Sequence, residues 1–318
     1  MKAAILVTGA NGFVGRALCL ALRDRGLPLV ATVRSATGPE EIAVGDLNGA
    51  TDWRQALPGC ATVIHLAARV HVMDDRSGDP LQAYRSVNVD ATLQLARQAV
   101  DAGVKRFVFV SSVKVNGEST TGRPPYRADD TPQPCDPYGQ SKMEAESALF
   151  ALGRETGLEV VVVRPPLVYG PGVKANFLSL IRLVQRGIPL PFGRVRGYRS
   201  MVALDNLVDL LITCATHRNA VGRTFMVSDD HDLTVGDLVR LIAAAMSKKV
   251  ILVPVPPALM RIAARLVGKT AVTDRLFGAL QVDISSTKEQ LEWQPLVTPA
   301  YAITQTVNHF SRTEGMNT

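Results

Sequence analysis

Tyr138 and Lys142 lie four positions apart in Asp136-Pro137-Tyr138-Gly139-Gln140-Ser141-Lys142. On a helix, positions four apart share a face, so the phenol and the ammonium can meet at one point. A phenol beside a fixed cation can give or take its proton nearer neutral pH than its free pKa of about 10 would allow. Moving that proton is half of carbonyl or alcohol redox chemistry. The other half is a hydride, which a nicotinamide carries. Near the start of the chain, Thr8-Gly9-Ala10-Asn11-Gly12-Phe13-Val14-Gly15 spaces its glycines GxxGxxG. Gly9 permits a tight turn, Gly12 lets the backbone approach a pyrophosphate, and Gly15 lets a helix pack closely on a strand. Asn11, Phe13 and Val14 complete that turn, and the helix it opens presents its N-terminus to the phosphates. An apolar strand before the turn and a helix after it are the context this motif requires.

The second strand ends at Val33 and is followed by Arg34. An NAD site normally has Asp or Glu here for the ribose 2′-hydroxyl, whereas an Arg can pair with a 2′-phosphate. The absent acid and the present Arg34 favour NADP(H), with NAD(H) left open. Asp46-Leu47, after a short third strand, either meets the adenine or is an ordinary loop pair. Ser111-Ser112 ends another apolar run, at the sheet edge where open α/β folds collect ligands. A hydroxyl there can donate to a substrate oxygen, although such a residue also serves as a cap or turn.

The elements that must hold these groups are legible as an alternation. Ala3–Val7, Leu29–Val33, Ala61–Leu66, Arg106–Ser111 and Glu159–Val163 are nearly unbroken apolar runs, as strands buried on both faces should be. Phe13–Arg25, Ala83–Ala102 and Tyr138–Glu155 between them carry helical patterns. This is an α/β chain with a Rossmann-like doubly wound parallel sheet. After Pro171-Gly172 the pattern changes. Helices are expected at Asn176–Arg186, Asn206–Thr216, Leu233–Ala245 and Pro257–Val267, and Met201–Leu204 and Phe225–Val227 read as strands returning to the sheet. We therefore expect a nucleotide-binding domain over 1–170, rejoined by 201–228, and a smaller discontinuous substrate domain over 171–200 and 229–312, with the site in the cleft between them.

The chain has 318 residues, 47% of them apolar and 20% charged, with 35 Lys and Arg against 29 Asp and Glu. The net charge of +6 suits an anionic ligand. The basic residues are scattered without interleaved aromatics, which argues against nucleic acid. Four widely separated cysteines form no CxxC pair, so free thiols in the cytoplasm are expected, with no metal site. No apolar run is long enough to span a membrane. The basic amphipathic stretch Leu259–Leu266 reads as a core-facing helix rather than a membrane-surface one.

Together the TGxxGxxG turn, His65-Leu66-Ala67-Ala68, Asn88, Ser112, Tyr138-x-x-x-Lys142 and Arg164-Pro165…Tyr169-Gly170-Pro171-Gly172 resemble the extended short-chain dehydrogenase/reductases that act on nucleotide sugars. The resemblance runs from Lys2 to about Pro299. It implies that Tyr138 is the acid/base, that Lys142 binds the nicotinamide ribose and lowers the phenol's pKa, and that Ser112 hydrogen-bonds the reacting oxygen. Leu66, Ala67, Ala68, Asn88 and Pro165 would join the cofactor site, Asn88 as a brace. Lys114 and Asn116 would lie near the sugar, and Asn176, Arg199 and Arg275 would hold the nucleotide diphosphate. A homodimer through the Ala83–Ala102 and Tyr138–Glu155 helices is also implied.

Two departures bear on the reaction. Asn116 stands where the family often has Tyr, and Ser112-Val113-Lys114 replaces the Thr-Asp-Glu of its 4,6-dehydratases. Without the acid pair, a departing hydroxyl has no proton donor. Further similarity, around Val72–Ser77 and Lys114–Glu118, points to O-antigen ketoreductases of the family. The expected activity is therefore NADPH-dependent reduction of a UDP-linked 2-acetamido-2,6-dideoxy-4-keto-hexose at C4, giving UDP-N-acetylquinovosamine or its C4 epimer. A UDP-hexose 4-epimerase with bound NAD is the alternative, and a non-catalytic NADP-binding regulator a remote one.

Overall fold

A computed structural model describes residues 3–70, 78–256, 258–260, 265 and 278–315. The first lobe alternates as the sequence pattern requires. Strand β1 (Ala4–Thr8) leads through the glycine turn into α1 (Phe13–Asp24), followed by β2 (Leu29–Val33), β3 (Glu41–Ala43) and β4 (Cys60–His65). Then come α2 (Pro80–Arg85), a π-helical turn at Ser86–Asp90, α3 (Ala91–Asp101), β5 (Arg106–Val110), α4 (Pro137–Thr156) and β6 (Glu159–Arg164). The seven-stranded sheet has the order β3-β2-β1-β4-β5-β6-β9, where β9 is Arg223–Met226. All six pairings are parallel.

Period-two alternation distributes the strand residues between two cores. Val7, Ile64, Val108, Val161 and Val163 pack with α1 and with α6 (Leu204–Thr216), while Leu6, Val63, Phe107, Phe109, Val160 and Val162 pack with α3 and α4. Each such fully buried apolar side chain contributes roughly 1.5–3 kcal/mol.

A third core belongs to the chain after β7 (Leu167–Tyr169). It joins Phe177 and Ile181 of α5 (Ala175–Gln185), Val239 and Ile242 of α7 (Val235–Ala245), and Ile303 and Val307 of the last helix. That helix, α9 (Pro299–Gly315), follows the short α8 (Ser285–Leu291). A buried polar knot ties this lobe to the sheet. Tyr169 donates to Asp229 at 2.7 Å, Asp229 accepts from Asn206 at 2.7 Å, and Asn206 exchanges two bonds with the Val297 backbone.

One expectation fails here. Only β9 returns to the main sheet. Strand β8 (Met201–Ala203) instead pairs with β7 in a separate two-stranded parallel sheet. Three-residue strands carry no periodicity by which their partner could be read. The helix expected over 257–267 is described only at 258–260 and 265, and Val72–Ser77 and Arg275 lie outside the described residues.

Candidate active site

Helix α4 is positioned by its first turn. Asp136 caps it, accepting from the Gly139 amide at 2.7 Å, and Pro137 occupies a position where no backbone N–H is needed. This fixes Tyr138 at the helix start and Lys142 one turn on. Ser112 follows β5 at the carboxyl edge of the sheet, close enough to the Tyr138 phenol to hold its pKa down against burial. Ser112 and Tyr138 therefore lie together, with Lys142 one helical turn further along α4.

Their electrostatics differ from the simple expectation. Burial pushes the Tyr138 phenol up to about 12, and the nearby Asp136 carboxylate adds to the rise, against the lowering effect of Ser112. Lys142 is 2% exposed and its ammonium donates to the Val110 carbonyl at 2.9 Å while lying 4.4 Å from the Phe109 ring centroid. Burial lowers it to about 7, against the attraction of Glu146. Lys142 is thus held on the strand end, and the depression of the Tyr138 pKa expected from it is absent in this arrangement. Tyr84 stands edge-on to Tyr138 at 6.0 Å and closes one side of the phenol.

The glycine turn fits a dinucleotide. Gly9 has φ +64, where a Cβ would come within 3.1 Å of the Ala67 backbone, and a side chain at Gly15 would place its Cβ 2.1 Å from the Gly9 carbonyl oxygen. No side chain caps α1 at Gly12, so its first-turn amides face outward for an anion. Asn11 is exposed beside them, while Phe13 and Val14 turn partly inward. Leu66 and Ala67 are pinned through their amides to Thr8 Oγ1 at 3.1 Å, with Ala68 next along. Pro165 accepts from the Val113 amide at 3.0 Å and so supports the Ser112 turn. Ser111 Oγ, buried at the same edge, has no hydrogen-bond partner among the described residues, as a polar atom awaiting a ligand would.

Asn88 lies in the π-helical turn and is fully buried. Its Nδ2 donates to Ser141 Oγ at 3.0 Å and to the Arg69 carbonyl at 3.1 Å. Arg34 does not stand as an isolated cation at the end of β2. Its Nε pairs with Asp46 Oδ1 at 3.0 Å, both side chains being exposed. Asp46 thus answers the Arg34 charge, and Leu47 packs partly against the core behind α3.

The proposed sugar contacts separate. Asn116 is 1% exposed, its Oδ1 accepts from Arg164 at 3.0 Å, and its Nδ2 donates to the Arg127 carbonyl at 2.9 Å. Buried this way, it braces the interior. Arg164 itself forks onto Glu146 at 3.0 and 2.5 Å, a buried pair that the sequence reading missed because its partners are far apart in the chain. Lys114 is engaged by Glu118 at 2.8 Å and by Asp136. Asn176 is exposed in the first turn of α5, after Ala175 with φ +55. Arg199 bridges Leu233 and Leu280 through its backbone and donates to the Gly278 carbonyl at 3.1 Å.

A family model for the NAD dependent epimerase/dehydratase family matches residues 5–228. The chain belongs to that family. It is 47% identical over 315 residues to a UDP-glucose 4-epimerase of Vibrio cholerae, covering 98% of this chain and 96% of the relative. Among solved structures, a UDP-N-acetylglucosamine 4-epimerase from Bacillus cereus superposes with a TM-score of 0.80 at 19% identity, covering 98% of this chain and 99% of that one. MoeE5 in complex with UDP-glucose and NAD superposes with a TM-score of 0.77 at 25% identity and the same coverage. The α/β architecture of the epimerase/dehydratase family is therefore shared along almost the whole chain.

Proposed function

We propose that this family member is an NAD-dependent 4-epimerase of a UDP-linked hexose. The observation that carries the reading is the near end-to-end 47% identity to a UDP-glucose 4-epimerase, in a chain that sets Ser112 by the buried Tyr138 phenol with Lys142 one turn on. The glycine turn at Gly9, Gly12 and Gly15 would hold NAD, which would supply reversible hydride acceptance from the sugar carbon. Tyr138 accepts the C4 hydroxyl proton in one half of the cycle and gives it back in the other. Ser112 hydrogen-bonds the same oxygen. With its phenol up at about 12, Tyr138 is a donor at neutral pH, and it becomes a base only when a cation approaches. Lys142 is that cation once its ammonium leaves the Val110 carbonyl for the Tyr138 side of the helix. A homodimer would use α2, α3 and α4, which pack side by side.

The reductase reading drawn from Arg34 takes second place, because the relative at 47% identity over 98% of this chain is a 4-epimerase. It keeps one favouring observation, the lack of an acid at the end of β2. One experiment separates the two. Purified protein is incubated with UDP-glucose and with UDP-N-acetylglucosamine, without added cofactor, and followed by proton NMR. Appearance of the galacto epimer of either sugar is expected. Inertness towards both, with NADPH consumed on a UDP-4-keto-6-deoxy-N-acetylhexosamine, would establish the reductase instead.

A further inference from the structure

His65 belongs to a motif that the catalytic reading leaves without a task. It ends β4 in register with Thr8 of β1 and Phe109 of β5, and it is fully buried. Its Nδ1 lies 2.7 Å from Thr8 Oγ1 and its Nε2 3.0 Å from Thr92 Oγ1. The partners decide where its proton sits. Thr8 Oγ1 already accepts from the amides of Leu66 and Ala67, both at 3.1 Å, so its own hydrogen must be donated to His65 Nδ1. At the other side, Thr92 donates its hydrogen to the Asn88 carbonyl at 2.8 Å, so its oxygen must accept from His65 Nε2. Both ends independently require the neutral Nε2–H tautomer. Burial and the Lys142 charge support it by pushing the His65 pKa down to about 3.

From Asn88 the bonds run on in the same direction. Asn88 Nδ2 donates to Ser141 Oγ at 3.0 Å, and Ser141 donates to the Tyr138 carbonyl at 2.8 Å. Thr8 immediately precedes Gly9, and the Tyr138 carbonyl belongs to the turn that carries the phenol. We propose that His65, as its Nε2–H tautomer, is a positioning residue that couples the dinucleotide turn at Thr8-Gly9 to the catalytic turn of α4 through Thr92, Asn88 and Ser141. The π-helical turn at Ser86–Asp90 is the joint of this relay: it lets Asn88 serve α3 with its carbonyl and α4 with its amide. An oriented chain of this kind has few alternative arrangements, because reversing any member leaves a buried donor or acceptor without a partner.

The inference rests on the dinucleotide reading, so the test measures dinucleotide binding apart from turnover. NAD affinity of the full chain is determined by calorimetry for the parent, Thr92→Val, Thr92→Ser, Thr8→Val and the Thr8→Val/Thr92→Val double variant, each checked by thermal denaturation. Thr92→Val, remote from the glycine turn, is expected to bind NAD ~10-fold more weakly, the scale of one buried hydrogen bond left unmade. Thr92→Ser should match the parent, and the double variant should be no weaker than Thr8→Val alone, because both act through His65. Parent-like binding by Thr92→Val, or fully additive losses in the double variant, would overturn the coupling. Should Thr92→Val not fold, His65→Gln keeps a donor for Thr92 but lacks the ring nitrogen fixed against Thr8; weaker NAD binding is expected, and parent-like binding overturns the proposal. A parent protein that binds neither NAD nor NADP overturns the functional reading and this inference together.

Discussion

Lys142 donates to the carbonyl of Val110, the last residue of β5, at 2.9 Å, and so holds its charge against the sheet rather than against the phenol one turn away. The ammonium proposed to act on Tyr138 thus rests on a neighbouring acceptor. Two consequences follow for titration and for turnover, and they are separable.

Lys142 has a folded-state pKa of about 7 against an ordinary value of 10.5, because burial penalises the ammonium more than Glu146 supports it. Between those values the unfolded chain binds more protons than the folded one. The stability contributed by the neutral amine is thus present above the unfolded pKa and lost as pH falls through about 7. Each pH unit across the window is worth up to about 1.4 kcal/mol. For a chain of this size that is on the order of 2 °C in Tm. The Tm of the NAD-free protein should therefore rise from neutral towards alkaline pH relative to Lys142→Met, whose side chain does not titrate. Parallel Tm profiles for the two proteins would refute the assignment.

Tyr138→Phe removes the proton carrier and leaves the ring that packs against Tyr84. Epimer interconversion, read by NMR, should fall by roughly 10²–10⁴-fold, while NAD binding stays at the parent level. A variant that turns over normally would dismiss Tyr138 as the acid/base.

Arg34→Ala breaks an exposed pair with Asp46. Exposed pairs contribute about 0–1 kcal/mol, so stability should barely change. The change should appear in cofactor choice: NADP loses affinity, because a guanidinium suits a phosphate, and NAD does not. Binding titrations with both dinucleotides measure this, and an equal loss for both would show that Arg34 does not read the 2′ position.

The Arg164–Glu146 fork is buried with both side chains 5% exposed. Glu146→Ala leaves the guanidinium without its carboxylate and should cost about 3–5 kcal/mol. The Glu146→Leu/Arg164→Met double variant, which removes both charges, should recover most of that loss. Urea midpoints of the two proteins give the comparison, and a double variant weaker than the single one would contradict it.

Much of the site is legible in the chain because its parts are local. The glycine turn lies within eight residues, and α4 announces itself by Asp136-Pro137 before Tyr138. The strands that deliver Thr8, His65 and Ser112 are unbroken apolar runs, so their ends could be read. What escaped depends on partners distant in sequence. Asn116 reads as a sugar-facing position until Arg164 and the Arg127 carbonyl are seen to occupy both ends of its amide. Arg34 reads as a free cation until β3 brings Asp46 beside it. The π-helical turn has no sequence signature, and it shows in the Ala91 amide, which donates five residues back to the Ser86 carbonyl.

Strand β9 has a consequence for the birth of the molecule. It covers the outer side of β6, whose Val160-Val161-Val162-Val163 run pairs with β5 on its other side. During synthesis that valine edge emerges well before Arg223–Met226 leaves the ribosome. A nascent or proteolysed piece stopping near Tyr169 would therefore offer an unprotected apolar strand for pairing with other chains. Completing the sheet from so late a segment leaves the valine edge of β6 uncovered until Arg223–Met226 has been made.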